Sequence, residues 1–184
     1  AKHTLKLKVL MAGEAVGTLA QDERGQLWFE HDAAWVKGGF ALSPMPSFAL
    51  KLGAFKATRH TFGGLHGVFN DALPDGWGLL LMDRALKQYR GLDRAQITPL
   101  DRLAYMGHRC MGALEYQPEM LPEQAGQKID LADIAAQSER VLDGETTEVL
   151  ETLRICGGSP GGARPKVTVA FSEDMTRWVC ALDR

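Results

Sequence analysis

Cysteine is scarce in this sequence, and no paired motif contains it. The chain has three cysteines, and none of them forms a C-x-x-C pair: Cys110, Cys156 and Cys180. A sparse, odd set excludes a disulfide framework and indicates reduced thiols in a cytoplasmic protein, with Cys110 and Cys156 as small buried hydrophobic side chains. Long apolar runs are also missing, because none approaches the ~18–20 residues of a membrane helix. Residues 1–9 alternate lysine with leucine and show no signal peptide, so we expect a soluble protein without a membrane partner.

An excess of charge of either sign is absent as well. The chain carries 21 Lys+Arg and 23 Asp+Glu, a formal net charge of −2, and its basic residues form no run. This balance argues against nucleic-acid binding driven by the overall field, although a local basic patch remains open. With 184 residues, 45% of them hydrophobic, the chain is long enough for one sizeable domain or two small ones with a buried core.

The opening third of the sequence predicts an antiparallel meander. Apolar and lysine residues alternate over 5–11, a period of two that indicates a half-buried strand. Two further short strands are predicted at 16–19 and 27–29, separated by turns at Gly13 and at Asp22–Gly25. Residues 38–67 are rich in Gly, Pro and Ser and predict an irregular connection, with a strand around 49–52.

Helical patterns follow in the second third of the chain. Apolar residues recur at helical spacing over 79–89, with Pro74 suited to a first helical turn and Gly91 to the C-terminal cap. Thr98-Pro99-Leu100-Asp101 predicts a second helix that starts with a capping box and stops at Gly107. A strand is predicted at 113–116. Further helices are predicted at 130–142, with Asp130 as cap, and at 147–153, before two strands at 167–171 and 177–182.

The segment 157–166, GGSPGGARPK, has the composition of a phosphate-binding loop. Four glycines allow a backbone to approach a bulky anion closely, and Lys166 is able to neutralise phosphate charge. The segment is neither a Walker A loop nor G-x-G-x-x-G, and the strand predicted after it favours the way in which protein kinases cover phosphates. The alternative is a flexible surface turn between two subdomains.

Three segments, in order, resemble the N-terminal region of HipA-type kinases. Residues 68–78, VFNDALPDGWG, resemble the family's F-x-N-L-L-P-D signature. Residues 101–107 and 111–114, DRLAYMG and MGAL, resemble its L-x-x-x-G-x-D-x-x-G-A-L block. Residues 159–166, SPGGARPK, resemble its S-x-x-G-A/G-x-x-P/E-K loop. The resemblance covers nearly the whole chain, from the meander to the last hairpin.

The resemblance implies a function and a set of partners. HipA-type proteins are bacterial toxins, associated with persistence, that phosphorylate serine or threonine on protein targets such as aminoacyl-tRNA synthetases, using ATP and Mg²⁺. They bind a helix-turn-helix antitoxin, HipB, which carries the complex to operator DNA. A serine in the glycine-rich loop is autophosphorylated, which expels the loop, and by motif position that serine is Ser159. The residues that the resemblance places in the ATP-phosphate loop are Gly161, Gly162, Ala163, Arg164 and Lys166.

The sequence also departs from the family pattern. The catalytic Asp, Asn and metal-binding Asp of such kinases lie downstream of this loop, so we expect these 184 residues alone to be inactive. The family's W-x-x-K strand lysine has no counterpart after Trp178, and His108 or Arg109 stands where an acidic residue is usual. The alternative function is a non-catalytic interaction module that binds an antitoxin or acts as one. A third reading is an ordinary nucleotide-binding protein that uses the same loop.

The predicted architecture is α+β: a small antiparallel meander packed with helices, then helices and the first strands of a protein-kinase-like N-lobe. The predicted domains are a HipA-type N-terminal subdomain at 1–117, a linker at 118–129 and the start of the kinase N-lobe at 130–184.

Several side chains outside the loop allow a chemical and a structural interpretation. We expect Asp71 and Asp75 to cap a helix and complement its dipole, and not to form an acid–base pair. The histidines His60, His66 and His108 lack metal-ligand spacing. Three basic residues are predicted on a solvated helix face, with contact to DNA phosphate or an acidic partner as the alternative: Arg84, Lys87 and Arg90.

Overall fold

The computed structural model of the chain describes residues 3–120, 131–143, 153, 162, 170–171 and 178–179. These residues belong to two units. The sheet unit contains Lys2–Leu73 and Thr98–Leu121, and the helical unit contains Pro74–Ile97 and Pro122–Arg184 together with Ala1.

In the described residues of the sheet unit, five antiparallel strands form one sheet. Strands β1 (Lys6–Met11), β2 (Glu14–Gln21) and β3 (Leu27–His31) are the predicted meander, which is confirmed. β4 (Ala54–Lys56) pairs with β3, and β5 (Leu114–Gln117) pairs with β1, giving the order β4-β3-β2-β1-β5. The predicted strand at 113–116 is therefore β5, and it places the latest strand of the sheet beside the earliest.

The alternation in β1 produces the buried face of the sheet. Leu7 and Val9 are fully buried while Lys6 and Lys8 are exposed, as the period of two predicts. The register shifts between Val9 and Leu10, and this irregularity places Leu10 in the core as well. Leu5 precedes the strand and is 61% exposed, so the prediction of a half-buried strand from residue 5 was one residue too long.

Two helices cover parts of this sheet. α1 (Ala33–Gly38) follows β3 directly, is capped by the Asp32 side chain and packs against β2. α4 (Pro99–Met106) packs against β1, β2 and β5 and begins with the predicted capping box. α2 (Gly67–Asn70) is a single turn, and two 3-10 helices at Pro46–Phe48 and Phe62–Gly64 shape the connection after α1.

The capping box of α4 extends beyond α4. Asp101 is fully buried, and its carboxylate accepts hydrogen bonds from the Thr98 N–H at 3.0 Å and the Thr4 N–H at 2.8 Å. His3 Nδ1 lies 2.9 Å from the same carboxylate. Burial by itself raises the pKa of Asp101, but the hydrogen bonds from Thr4, His3 and Thr98 outweigh it and hold this pKa below its usual value.

An aromatic cluster forms part of the core of the sheet unit. Phe29 stacks on Phe48 with a centroid distance of 5.2 Å, and it meets Phe69 and His31 at 4.8 Å each. His66 packs on Phe48 at 5.0 Å. The ring nitrogens of both histidines are buried, and burial lowers the pKa of each imidazole. These two histidines therefore act as neutral core residues.

Among its described residues, the helical unit has two helices and one pair of short strands. α3 (Gly76–Arg90) buries Trp77, Leu81 and Leu86 and ends at Gly91, whose φ of +65° provides the predicted left-handed cap. α5 (Leu131–Leu142) is the third predicted helix. The Arg84 guanidinium donates to the Val141 carbonyl oxygen and so ties α3 to α5. β6 (Ala170–Phe171) and β7 (Trp178–Val179) pair antiparallel.

Three local predictions were wrong. The strand expected around 49–52 lies at 54–56, because β4 takes its register from Trp28 and Phe29 of β3. Helix α1 was not predicted at all, since six residues are too few to show helical periodicity. Pro74 precedes α3, which begins at Gly76.

The α+β class is confirmed. The proposed linker at 118–129, the domain bounds and the kinase-like N-lobe stay predictions, as residues 121–130 and most of 144–184 lie outside the described residues. Among the helices described, none combines the length and the hydrophobicity that crossing a membrane requires.

Candidate functional site

The candidate site lies at the beginning of α3, within the helical unit. The first N–H groups of an α-helix have no acceptor inside the helix and need one from elsewhere. Asp75 holds the N-cap position with extended backbone angles (φ −113°, ψ 174°), and its side chain makes no hydrogen bond to its own helix. The helix start is therefore open to a different partner.

Gly162 is that partner. Its N–H donates to Asp75 Oδ1 at 2.5 Å, and its carbonyl oxygen accepts from the Trp77 N–H at 3.0 Å. The N–H and the carbonyl belong to the two successive peptide groups on either side of the Gly162 Cα. The start of α3 consequently holds Gly162 through both of these peptide groups.

The backbone conformation at this point requires glycine. Gly162 has a φ of +108°, a region that L-amino acids with a side chain rarely adopt. Gly162 is one of the residues predicted to form the ATP-phosphate loop. The other predicted residues of that loop, Gly161, Ala163, Arg164 and Lys166, and the predicted autophosphorylation site Ser159, lie outside the described residues and stay predictions.

The two aspartates of the 68–78 motif have different surroundings. Asp71 follows α2 as its C-cap, and its own N–H donates to the Gly67 and Phe69 carbonyl oxygens. Asp75 occupies the predicted N-cap position, but its carboxylate accepts from Gly162 instead of from α3. For Asp75 the capping prediction was therefore right in position and wrong in hydrogen bonding, because the acceptor is used by a residue 87 positions away. For Asp71 it was wrong, because this residue lies at the end of α2 and not at a helix start.

A cavity of about 510 Å³ lies in the sheet unit. Its lining combines apolar side chains with one cation and one carboxylate: Leu42, Met45, Phe48, Phe62, Lys56 and Asp71. Met45 is 60% exposed and Phe62 55% exposed. Large apolar side chains with this exposure indicate a surface suited to an apolar contact. The sequence alone did not reveal this cavity, since most of its residues come from the segment 38–67, which was predicted to be an irregular connection.

The remaining candidate side chains have structural partners. His108 Nδ1 lies 2.6 Å from Glu119 Oε1, which also accepts from the His108 N–H at 3.0 Å. Cys110 is buried, as predicted. Lys87 pairs with Asp93 at 3.0 Å on the surface. Within the described part of the chain, no group of three His, Cys, Asp or Glu residues is placed to hold a metal ion.

Comparison with known proteins shows the family to which the chain belongs. Residues 7–117 match the HipA N-terminal domain, and the chain belongs to that family, the N-terminal region of HipA-type toxins.

A solved structure shares the fold. HipA from Shewanella oneidensis MR-1, determined in a complex with HipB and its operator DNA, superposes with a TM-score of 0.57 at 19% sequence identity. The match covers 94% of this chain and 37% of that one, so the chain spans little more than a third of its relative's length. The search of curated proteins finds no match.

Proposed function

We propose that the chain is the N-terminal part of a HipA-type serine/threonine protein kinase of a bacterial toxin–antitoxin system, acting in the cytoplasm. The observation that carries this proposal is the family match over residues 7–117, followed in the same chain by the glycine-rich segment at 157–166. The three ordered motifs described above support it. In this proposal the 184 residues alone are inactive, and catalysis requires a longer chain with a further lobe.

Residues 159–166 form the ATP-phosphate loop of the proposed kinase. The glycine conformation at Gly162 fits a backbone that approaches a ligand closely. Gly161 and Ala163 contribute backbone, while Arg164 and Lys166 contribute positive charge. ATP supplies the phosphoryl group when bound, and Mg²⁺ neutralises its phosphate charge. Ser159 is the proposed autophosphorylation site, where about two added negative charges repel the phosphates of ATP.

The proposed partners follow from the solved relative. Since the Shewanella HipA is found with HipB and operator DNA, we propose a HipB-like helix-turn-helix antitoxin as the partner of this protein. Operator DNA is then contacted mainly through the antitoxin, in keeping with a net charge of only −2. The proposed substrate is a protein, such as an aminoacyl-tRNA synthetase.

A phosphotransfer assay tests the kinase proposal. The chain and the full-length gene product are incubated with Mg²⁺-ATP, and their intact masses are measured. We expect one added phosphate at Ser159 in the full-length protein only, and none in Ser159→Ala. If neither ATP turnover nor added phosphate is found in the full-length protein, the kinase proposal is wrong.

A second candidate function is antitoxin binding without catalysis. The exposed apolar residues Met45 and Phe62 beside the cavity favour an interaction surface. Calorimetric titration with a HipB-like antitoxin distinguishes the two functions. Binding by a full-length protein that transfers no phosphate identifies the interaction module, and Met45→Glu is expected to weaken that binding.

A further inference from the structure

We propose that Asp75 is a positioning residue that anchors the glycine-rich segment at Gly162 and thereby sets its affinity for ATP. The part of the inference that concerns ATP rests on the proposed kinase function. The part that concerns the anchor rests on the two hydrogen bonds between the start of α3 and Gly162.

The Asp75 carboxylate does not make the hydrogen bonds of an ordinary N-cap. An aspartate at an N-cap ordinarily accepts from the N–H groups of its own first turn. Here it accepts from Gly162, and the Trp77 N–H, which an N-cap side chain would ordinarily satisfy, donates to the Gly162 carbonyl oxygen instead. One glycine thus replaces the cap, while the carboxylate provides a charge-assisted bond in return. This replacement of a local cap by a distant glycine indicates that the bonds serve to hold Gly162 in position.

Helix α3, to which Gly162 is bonded, is itself held in place by its packing. α3 has 15 residues, and its Trp77 side chain is only 3% exposed. Further along the same helix, the side chains of Leu81, Met82 and Leu86 are also buried. Arg84 ties this helix to α5. A helix held at several points offers a fixed attachment, and two bonds to it restrict the backbone of Gly162 on both sides.

The hydrogen bond to Asp75 also determines what Gly162 contributes to ATP binding. The Gly162 N–H already donates to Asp75, so its hydrogen bond is not directed at a phosphate. Because an ordered loop loses less conformational entropy on binding, the anchor favours ATP binding without entering the chemical step.

Hydrogen exchange on the full-length gene product tests the anchor directly. Amide exchange of peptides that cover 159–166 is followed by mass spectrometry in Asp75→Ala, Asp75→Asn and the unaltered protein. We expect Asp75→Ala to accelerate exchange there by about threefold to tenfold, the range for one lost hydrogen bond. Asp75→Asn retains an oxygen acceptor and is expected to lie between the two. Asp93→Asn removes the same charge from the surface near the other end of α3 and serves as the matched control.

ATP titration and kinetics test the consequence. Asp75→Ala is expected to raise KM for ATP by about threefold to tenfold and to leave kcat unchanged, with partial rescue by Asp75→Asn. A general loss of structure would instead lower the thermal midpoint and kcat together. Gly162→Ala, which forces a side chain into a φ of +108°, is a second variant, and its effect should not add to that of Asp75→Ala.

The outcomes separate the two proposals. Unchanged exchange at 159–166 in Asp75→Ala overturns the anchor. Tighter ATP binding by Asp75→Ala also overturns it, since the carboxylate would then oppose the phosphates. If the unaltered full-length protein binds no ATP, the proposed kinase function fails together with the effect on ATP, while the exchange data still decide whether Asp75 anchors Gly162.

Discussion

At the scale of single residues, one carboxylate joins the first residues of the sheet unit to α4. Asp101 accepts from Thr98 three residues before it and from Thr4 and His3 almost a hundred residues before it. The local half of this arrangement is predictable, because a capping box has a fixed spacing. The distant half is not, since nothing in the sequence near Thr4 indicates which buried acceptor its N–H will find.

Removing this carboxylate should destabilise the sheet unit. Asp101→Ala leaves the partly buried N–H groups of Thr4 and Thr98 without their acceptor, so we expect the free energy of unfolding to fall by about 2 kcal/mol. Asp101→Asn keeps one oxygen and should cost less. Urea denaturation at pH 7 measures both, with the exposed Asp93→Asn as control. A loss in Asp101→Ala no larger than that in Asp93→Asn would contradict the proposed role.

At the scale of elements, the sequence predicted those with a strong period or a strong end signal. β1 alternates, β2 and β3 are bounded by turns, α3 ends at a glycine that adopts the left-handed conformation, and α4 begins with its capping box. α1 and β4 were missed or misplaced because both are too short for a period to appear, and their positions depend on packing against β2 and β3. The aromatic cluster was missed for a related reason, as Phe48 and His66 come from irregular segments.

Strand β2 should tolerate no side chain at Gly17. A Cβ at this position would lie 2.3 Å from the Glu30 carbonyl oxygen and 2.6 Å from the Phe29 ring. Since both neighbours belong to the paired strand or the core, we expect Gly17→Ala to lower the free energy of unfolding by about 2–4 kcal/mol. Gly38→Ala, where a Cβ meets no atom within 4 Å, is the matched control in the same urea assay. Equal stability of the two variants would refute the close approach.

The aromatic cluster should make stability depend on pH. Burial lowers the pKa of His66 below 6.5, so below that pH the unfolded chain takes up a proton that the folded ring resists. Stability is therefore complete above about pH 6.5 and falls as the pH decreases toward the lowered pKa of the folded state.

Replacing His66 isolates its share of this dependence. We expect His66→Phe to reduce the loss of stability between pH 7 and pH 5, with His31 responsible for what remains. Urea midpoints across this range measure the slope, and His60→Phe at an exposed position is the control. The same slope in His66→Phe and the unaltered chain would show that the ring does not titrate as inferred.

At the scale of the whole molecule, order and spacing of motifs were enough to predict the class and the family. The fold class is confirmed over the described residues, and the family match spans 7–117. The candidate site was only half predictable. The glycine-rich composition indicated the loop, but the contact between Asp75 and Gly162 joins residues 87 positions apart and follows from the tertiary fold alone.

The sheet order also has a consequence for biosynthesis. β1 pairs with β5, and about 100 residues separate the two strands. At roughly 5–20 residues per second, a ribosome needs about 5–20 s to supply that partner. During this interval β1 is an open edge, the kind of strand that recruits other chains, and Lys6 and Lys8 are the charges along it.

The two lysines should consequently protect the growing chain more than the finished one. Lys8→Val is expected to increase aggregation strongly in a fragment that ends at residue 110, before β5, and only slightly in the complete 184-residue chain. Light scattering of both proteins during cell-free synthesis measures the difference. An equal increase in both proteins would show that Lys8 only contributes to general solubility. A selective increase in the fragment would show that Lys8 prevents aggregation specifically in the period before β5 has been synthesised.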